Sequence, residues 1–114
     1  MTPETEQLMH QCLPFFAVLG DENRQRIVSL LSQHGQLSVN ALTDLMHLSR
    51  PAVSHHLKLL LQANMVNVEQ AGNERFYRMN FSHEGDCPIV LFSRLAAAFE
   101  REVQQHLNEA QENS

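Results

Sequence analysis

At Met65 the spacing of apolar residues changes from three or four to two. The alternation runs from Met65 to Ala71 and resumes from Glu74 to Asn80, on either side of Gly72-Asn73. Period two belongs to strands with one buried face, and the longer period before it belongs to helices. A glycine at the first central position suits a two-residue type II′ turn. That turn sets Val68 opposite Tyr77 and Val66 opposite Met79, which keeps one side of the hairpin apolar. The chain therefore has to place a run of short helices against a small hairpin.

The helices have clear punctuation. Leu8, Cys12, Phe15, Phe16 and Leu19 recur at helical spacing over residues 4–19, and Gly20 ends that run. Asp21 is placed to cap a second helix, about residues 22–34, with Ile27, Val28, Leu30 and Leu31 inward and a stop at Gly35. Ser38 caps a short third helix with Leu42, Leu45 and Met46 inward. His47-Leu48-Ser49 is a tight turn, and Ser49 caps a fourth helix with Pro51 in its first turn, where a missing N–H costs nothing. Two short helices joined this closely are a helix-turn-helix, and a hairpin after them is a wing. The expected fold is mainly α with a small β-hairpin, a winged helix-turn-helix in a single domain over 1–114. The helix-turn-helix covers about 38–63 and the wing about 65–80. Asp86-Cys87-Pro88 opens a last helix, about 87–110, on which Phe92, Leu95, Phe99, Val103, Leu107 and Ala110 form one apolar stripe. That stripe is longer than a domain of this size can cover, so a second copy of the chain is the economical partner. The last residues, 111–114, read as disordered.

Val53, Leu57 and Leu60 give the fourth helix a packing face. Arg50, Ser54 and Lys58 stand at i, i+4 and i+8 on another face, with Pro51 and His55 beside them. A helix that enters the major groove of double-stranded DNA needs this division, with small polar groups outward. Ser54 and His55 can bond base edges, and Arg50 and Lys58 can reach bases or phosphates. Ser49 stands at the helix start, where a phosphate is favoured. Asn73 and Arg75 lie at the wing tip, within reach of flanking phosphates or the minor groove. A generic amphipathic helix with two surface histidines fits the same pattern. The chain's net charge of −5 sits awkwardly with a polyanionic partner. Its distribution helps: residues 49–78 carry four cations against two carboxylates, whereas residues 84–114 carry two against six. So thin a basic patch implies few phosphate contacts and a shallow salt dependence.

Three stretches together resemble the ArsR/SmtB family of bacterial repressors. They are Leu19 to Ile27 (LGDENRQRI), Leu48 to Leu60 (LSRPAVSHHLKLL) and Gly72 to Met79 (GNERFYRM). The resemblance spans about residues 12–100. It implies a homodimer built on the first and last helices and a repressor that leaves DNA on a signal. Leu61-Gln62-Ala63-Asn64 stands where family members commonly carry an arginine and a glycine. Asn64 can still take the left-handed conformation that a helix end requires.

Metal sensing in this family uses two kinds of site. The thiolate kind needs cysteines in the third helix, and residues 38–48 hold none. The other pairs Asp-x-His early in the last helix with His-x-x-His or His-x-x-Glu later. His106-x-x-Glu109 matches the second half, but Arg94, Ala96 and Ala97 occupy the first. Neither a metal nor another cofactor is expected. Cys12 and Cys87 remain, with three readings open: buried packing residues, a redox pair, or a metal site completed by His10, His83 or Asp86.

The N-terminus has no basic-then-apolar leader pattern and no apolar run is long enough to cross a bilayer, so a soluble, cytoplasmic protein without a membrane partner is expected. No nucleophile–base pair, phosphate loop or HExxH motif suggests an enzyme. The alternative function is a winged-helix adaptor that binds proteins, which the acidic balance would suit.

Overall fold

Asp21 and Gly35 bracket a helix as their residue types require. The computed structural model describes residues 1–113. Its elements are α1 (Pro3–Leu19), α2 (Glu22–His34), β1 (Leu37–Ser38), α3 (Val39–Met46), α4 (Arg50–Gln62), β2 (Val66–Ala71), β3 (Glu74–Met79) and α5 (Pro88–Glu112). Contacts gather these residues into two units: residues 14–81, and residues 1–13 together with the described residues from 82 onward.

In the first of these units, side-chain caps set the helix starts. Asp21 Oδ1 accepts from the Arg24 N–H at 3.0 Å, Ser38 Oγ from the Ala41 N–H at 3.1 Å, and Ser49 Oγ from the Ala52 N–H at 3.3 Å. Each satisfies a donor that the helix itself leaves unpaired. Gly35 ends α2 at φ 80°, its N–H bonding the Leu31 carbonyl. His47 ends α3 in the left-handed region at φ 56°, with its N–H on Thr43 O at 3.2 Å. This reversal lets α4 start only three residues later. Asn64, at φ 64°, closes the α4 end in the left-handed conformation expected of it.

The hairpin register is the expected one, with Val66 opposite Met79 and Val68 opposite Tyr77. Gly72 has φ 64°, and Asn73 lies outside the positive-φ region, as a type II′ turn demands. The sheet has a third strand that the hairpin pattern did not predict. Leu37 and Ser38 pair with Tyr77 and Phe76, giving the antiparallel order β1-β3-β2. At the open end of the wing, Asn80 Nδ2 donates to Asn64 O at 2.9 Å and the Asn80 N–H to Met65 O at 3.0 Å, which ties the hairpin to the end of α4.

Ile27, Leu42, Val53, Leu57 and Leu60 are wholly buried, and Leu31 and Val66 nearly so. They form a core where α2, α3 and α4 meet one another and the sheet. Two inward assignments change. Leu45 on α3 is 40% exposed, and Val39 is buried instead. Val68 is 38% exposed even though its partner Tyr77 is buried, because β2 is an edge strand while β3 lies between β1 and β2.

In the other unit, Thr5, Leu8, Cys12, Cys87, Leu91, Leu95 and Ala98 are buried. The Thr2 N–H donates to Glu102 Oε1 at 2.6 Å and Arg101 Nη2 to Glu4 Oε1 at 3.2 Å, so the start of α1 is held to the middle of α5. The α5 stripe is not one face but two. Of the expected stripe Leu95 is buried, together with Leu91 and Ala98 from outside it, whereas Phe99, Val103 and Leu107 are 39%, 58% and 54% exposed. Adjacent rows at i, i+4, i+7 are one step apart round a helix, so a period count merges them. The tail also differs from expectation, because α5 continues through Gln111 and Glu112; Ser114 lies outside the described residues.

Candidate nucleic-acid interface

All of the interface residues on α4 and the wing belong to the 14–81 unit. Helix α4 turns Val53, Leu57 and Leu60 inward, and at 3.6 residues per turn that leaves Ser49, Arg50, Pro51, Ser54, His55 and Lys58 exposed. Arg50, Ser54 and Lys58 line one wall of a cleft of about 610 Å³. Gln70, Asn73 and Arg75 of the wing line the other, with Val39, Leu61 and Tyr77 completing the lining. Five residues chosen from the sequence on separate elements are thus brought to one concavity. Three of them, Arg50, Lys58 and Arg75, are cations with no carboxylate among the lining residues of this cleft. Local charge is positive where the chain as a whole is negative.

A smaller pocket continues from it, lined by Ser38, Val39, Asn40, Arg50, Asn73, Glu74 and Arg75. Gln70 and Asn40 were not singled out from sequence. Both are ordinary surface amides in a strand and a helix, and only the tertiary fold sets them beside arginines. Gln70 Nε2 also donates to Gly72 O at 3.4 Å, across the turn.

Ser49, Pro51 and His55 lie on the exposed surface of α4 but do not line the cleft. The Ser49 hydroxyl accepts the Ala52 N–H, which leaves its proton to donate outward. His55 and His56 diverge, as neighbours on a helix must, with ring centroids 6.0 Å apart. His55 is exposed; His56 is half-buried and meets Arg24 of α2, Nη1 to Nδ1 at 3.3 Å. Near this pair, the Arg24 backbone N–H and then the Arg24 charge hold the Asp21 carboxyl below the usual carboxylate range, against desolvation that pulls it the other way.

Cys12 and Cys87 are buried thiols, not joined in a disulfide. Burial pushes the Cys12 thiol up, which disfavours the thiolate that reacts with oxidants and metals. Among the described residues no three of His, Cys, Asp and Glu gather in a group able to hold a metal, so the set of Cys12 and Cys87 with His10, His83 or Asp86 is not assembled within one chain. His106 and Glu109 form an exposed pair on α5, Nδ1 to Oε2 at 3.8 Å. No helix among the described residues is long and apolar enough to cross a membrane.

Residues 21–68 match the family model described as bacterial regulatory protein, arsR family. The arsenical resistance operon repressor of Bacillus subtilis is 31% identical over 80 residues, 70% of this chain and 76% of that protein. The arsenical resistance operon repressor of Staphylococcus aureus is 35% identical over 63 residues, 55% of this chain and 60% of that one. Among solved structures, an ArsR-like transcriptional regulator from Rhodococcus sp. RHA1 superposes with a TM-score of 0.71 at 24% identity, covering 93% of this chain and 94% of that one.

Proposed function

This chain belongs to the arsR family of bacterial regulatory proteins and is a DNA-binding transcriptional regulator, and from that premise we propose that it acts as a homodimeric repressor reading DNA with α4. The observation that carries the reading is the cleft in which Arg50, Ser54 and Lys58 face Asn73 and Arg75. A polar face on one short helix has many explanations. A polar face opposed by a wing with its own cation, round an open concavity, has the form of a seat for a charged backbone beside a groove-reading helix. Ser54 and His55 read base edges, Arg50 and Lys58 reach bases or phosphates, and Ser49, Asn73 and Arg75 hold the backbone, with Pro51 presetting the helix start.

The second subunit is another copy of this chain. Phe99, Val103 and Leu107 present an apolar row about two turns long that the single chain leaves in water. A symmetric pair would bury it and set two α4 helices about 34 Å apart, one turn of DNA. The protein works in the cytoplasm and is not an enzyme. An adaptor role is disfavoured because an adaptor has no need of the polar, groove-reading face that Arg50, Ser54, Lys58 and Arg75 form.

The test starts from a duplex selected by the protein from a random-sequence pool. Arg75→Ala is expected to weaken binding to selected and random duplexes alike and to reduce the salt slope by about one counterion. Ser54→Ala or His55→Ala is expected to cost roughly 1 kcal/mol of preference for the selected site, the worth of one hydrogen bond, with little change on random DNA. Binding unaffected by all three changes would overturn α4 and the wing as the reading surface, and failure to select any duplex would return the adaptor reading.

For Cys12 and Cys87, burial and the raised Cys12 thiol support packing over sensing. Thiol titration of the folded protein before and after mild peroxide should return the same count. A loss of both thiols under peroxide would instead support a redox pair.

A further inference from the structure

The segment Leu19 to Ile27 contributes nothing to the cleft, yet it carries an unusual concentration of side-chain bonds. Arg24 Nε donates to the Val18 carbonyl, and Gln25 Nε2 donates to the Leu19 carbonyl at 2.7 Å. Both are carbonyls at the end of α1, where a helix leaves its last C=O groups unpaired. Gly20 forms no left-handed cap there, so α2 side chains do the capping. Arg24 is itself held at its backbone by Asp21 Oδ1. Its remaining arm, Nη1, reaches across to His56 Nδ1 at 3.3 Å, 32 residues further on and on α4.

We propose that Arg24 and His56 form a latch that sets the rotation of the reading helix about its own axis. The guanidinium only donates, so Nδ1 must accept, and the ring proton therefore sits on Nε2. The arginine fork is planar and is fixed at Nε by the α1 carbonyl, so the point it offers to His56 is fixed as well. Val53, Leu57 and Leu60 resist lifting of α4, but apolar packing is non-directional and resists a small roll weakly. A hydrogen bond from one side is directional. A roll of one step would exchange Ser54 for a neighbour at the groove floor, so His56 is a positioning residue for His55 and Ser54 and does not itself touch DNA. The paired histidines of the motif thus divide the work: the exposed one reads and the half-buried one is anchored.

The inference rests on α4 being the reading helix, so its test has one arm without DNA. In the free protein, long-range proton–nitrogen spectra should show His56 with its proton on Nε2. In Arg24→Lys, whose ammonium lacks the fork, that signature should be lost or mixed. A proton on Nδ1 in the wild type overturns the latch whatever α4 does. The second arm compares affinity for the selected duplex with affinity for random DNA. His56→Leu removes the acceptor at similar volume and should lower the ratio about tenfold, while random-DNA affinity stays within about twofold. His56→Asn places Oδ1 where Nδ1 was and should recover most of the ratio. Melting curves identify any variant that fails to fold, and His56→Asn then carries the comparison with Arg24→Lys. In a double-mutant cycle, Arg24→Lys combined with His56→Leu should lose no more than His56→Leu alone. Additive losses, or an Asn variant as poor as the Leu variant, would mean that His56 contacts DNA itself and would overturn the latch.

Discussion

Val103→Glu is expected to turn a dimer into a monomer and to lower affinity for the selected DNA site by a factor on the order of 10²–10⁴. Val103 is 58% exposed in the single chain, between Phe99 and Leu107 on the uncovered row of α5. Nothing inside the chain would suffer from a carboxylate there, and Glu favours a helix at least as well as Val. The cost falls on association, because a symmetric interface receives the substitution twice and buries two unpaired charges of one sign. Each separated subunit still presents one α4 and one wing, so weak binding to a half-site should survive. The gain from tethering two half-site readers disappears. Sedimentation velocity should report a species near 13.0 kDa in place of twice that mass. A variant that stays dimeric, or a wild type that is already monomeric at micromolar concentration, would mean that the exposed row serves some other purpose.

Leu57→Ala has the largest expected effect on stability, about 2–5 kcal/mol, against a typical total of roughly 5–15 for a domain. Leu57 has no exposed surface and sits between Val53 and Leu60, which have none either. Removing its branched end leaves a cavity where α4 meets α2, α3 and the sheet, and a close-packed core collapses into such a cavity only in part. Leu61, four residues on, makes the contrast. It is 38% exposed and lines the cleft, so Leu61→Ala should cost well under half as much in urea denaturation. Equal losses at the two positions would show that α4 is not packed by the face assigned to it.

Much of the candidate interface could be read directly because its local geometry depends on local rules. A cap is a side chain bonding a backbone group three residues away, so Asp21, Ser38 and Ser49 declare their helices without knowledge of the rest of the chain. Gly72 selects its turn by φ alone, and the turn then dictates which residues face each other across the hairpin. The division of α4 into Val53, Leu57, Leu60 and Arg50, Ser54, Lys58 follows from 3.6 residues per turn.

Other features had no local signal. The two residues of β1 are too short for any period to show; they become a strand because β3 offers unpaired backbone groups some forty residues later. Leu45 looks like core by spacing and is exposed, since α3 is only eight residues long and its far side has nothing over it. Rows 91-95-98 and 99-103-107 of α5 are both wholly apolar, and which one is covered depends on the fold. Gln70 enters the cleft lining, and Asn40 that of the smaller pocket, by position alone.

The change of period at Met65 and the polar and apolar faces of α4 are thus properties of the sequence itself, because hydrogen bonds and side-chain periods act over a few residues. What the tertiary structure decided is where those faces meet. It sets the wing's Arg75 across from Arg50 and Lys58, and it sets Arg24 beside His56. Contacts between residues distant in sequence depend on how the whole chain closes its core, and no short-range pattern encodes that.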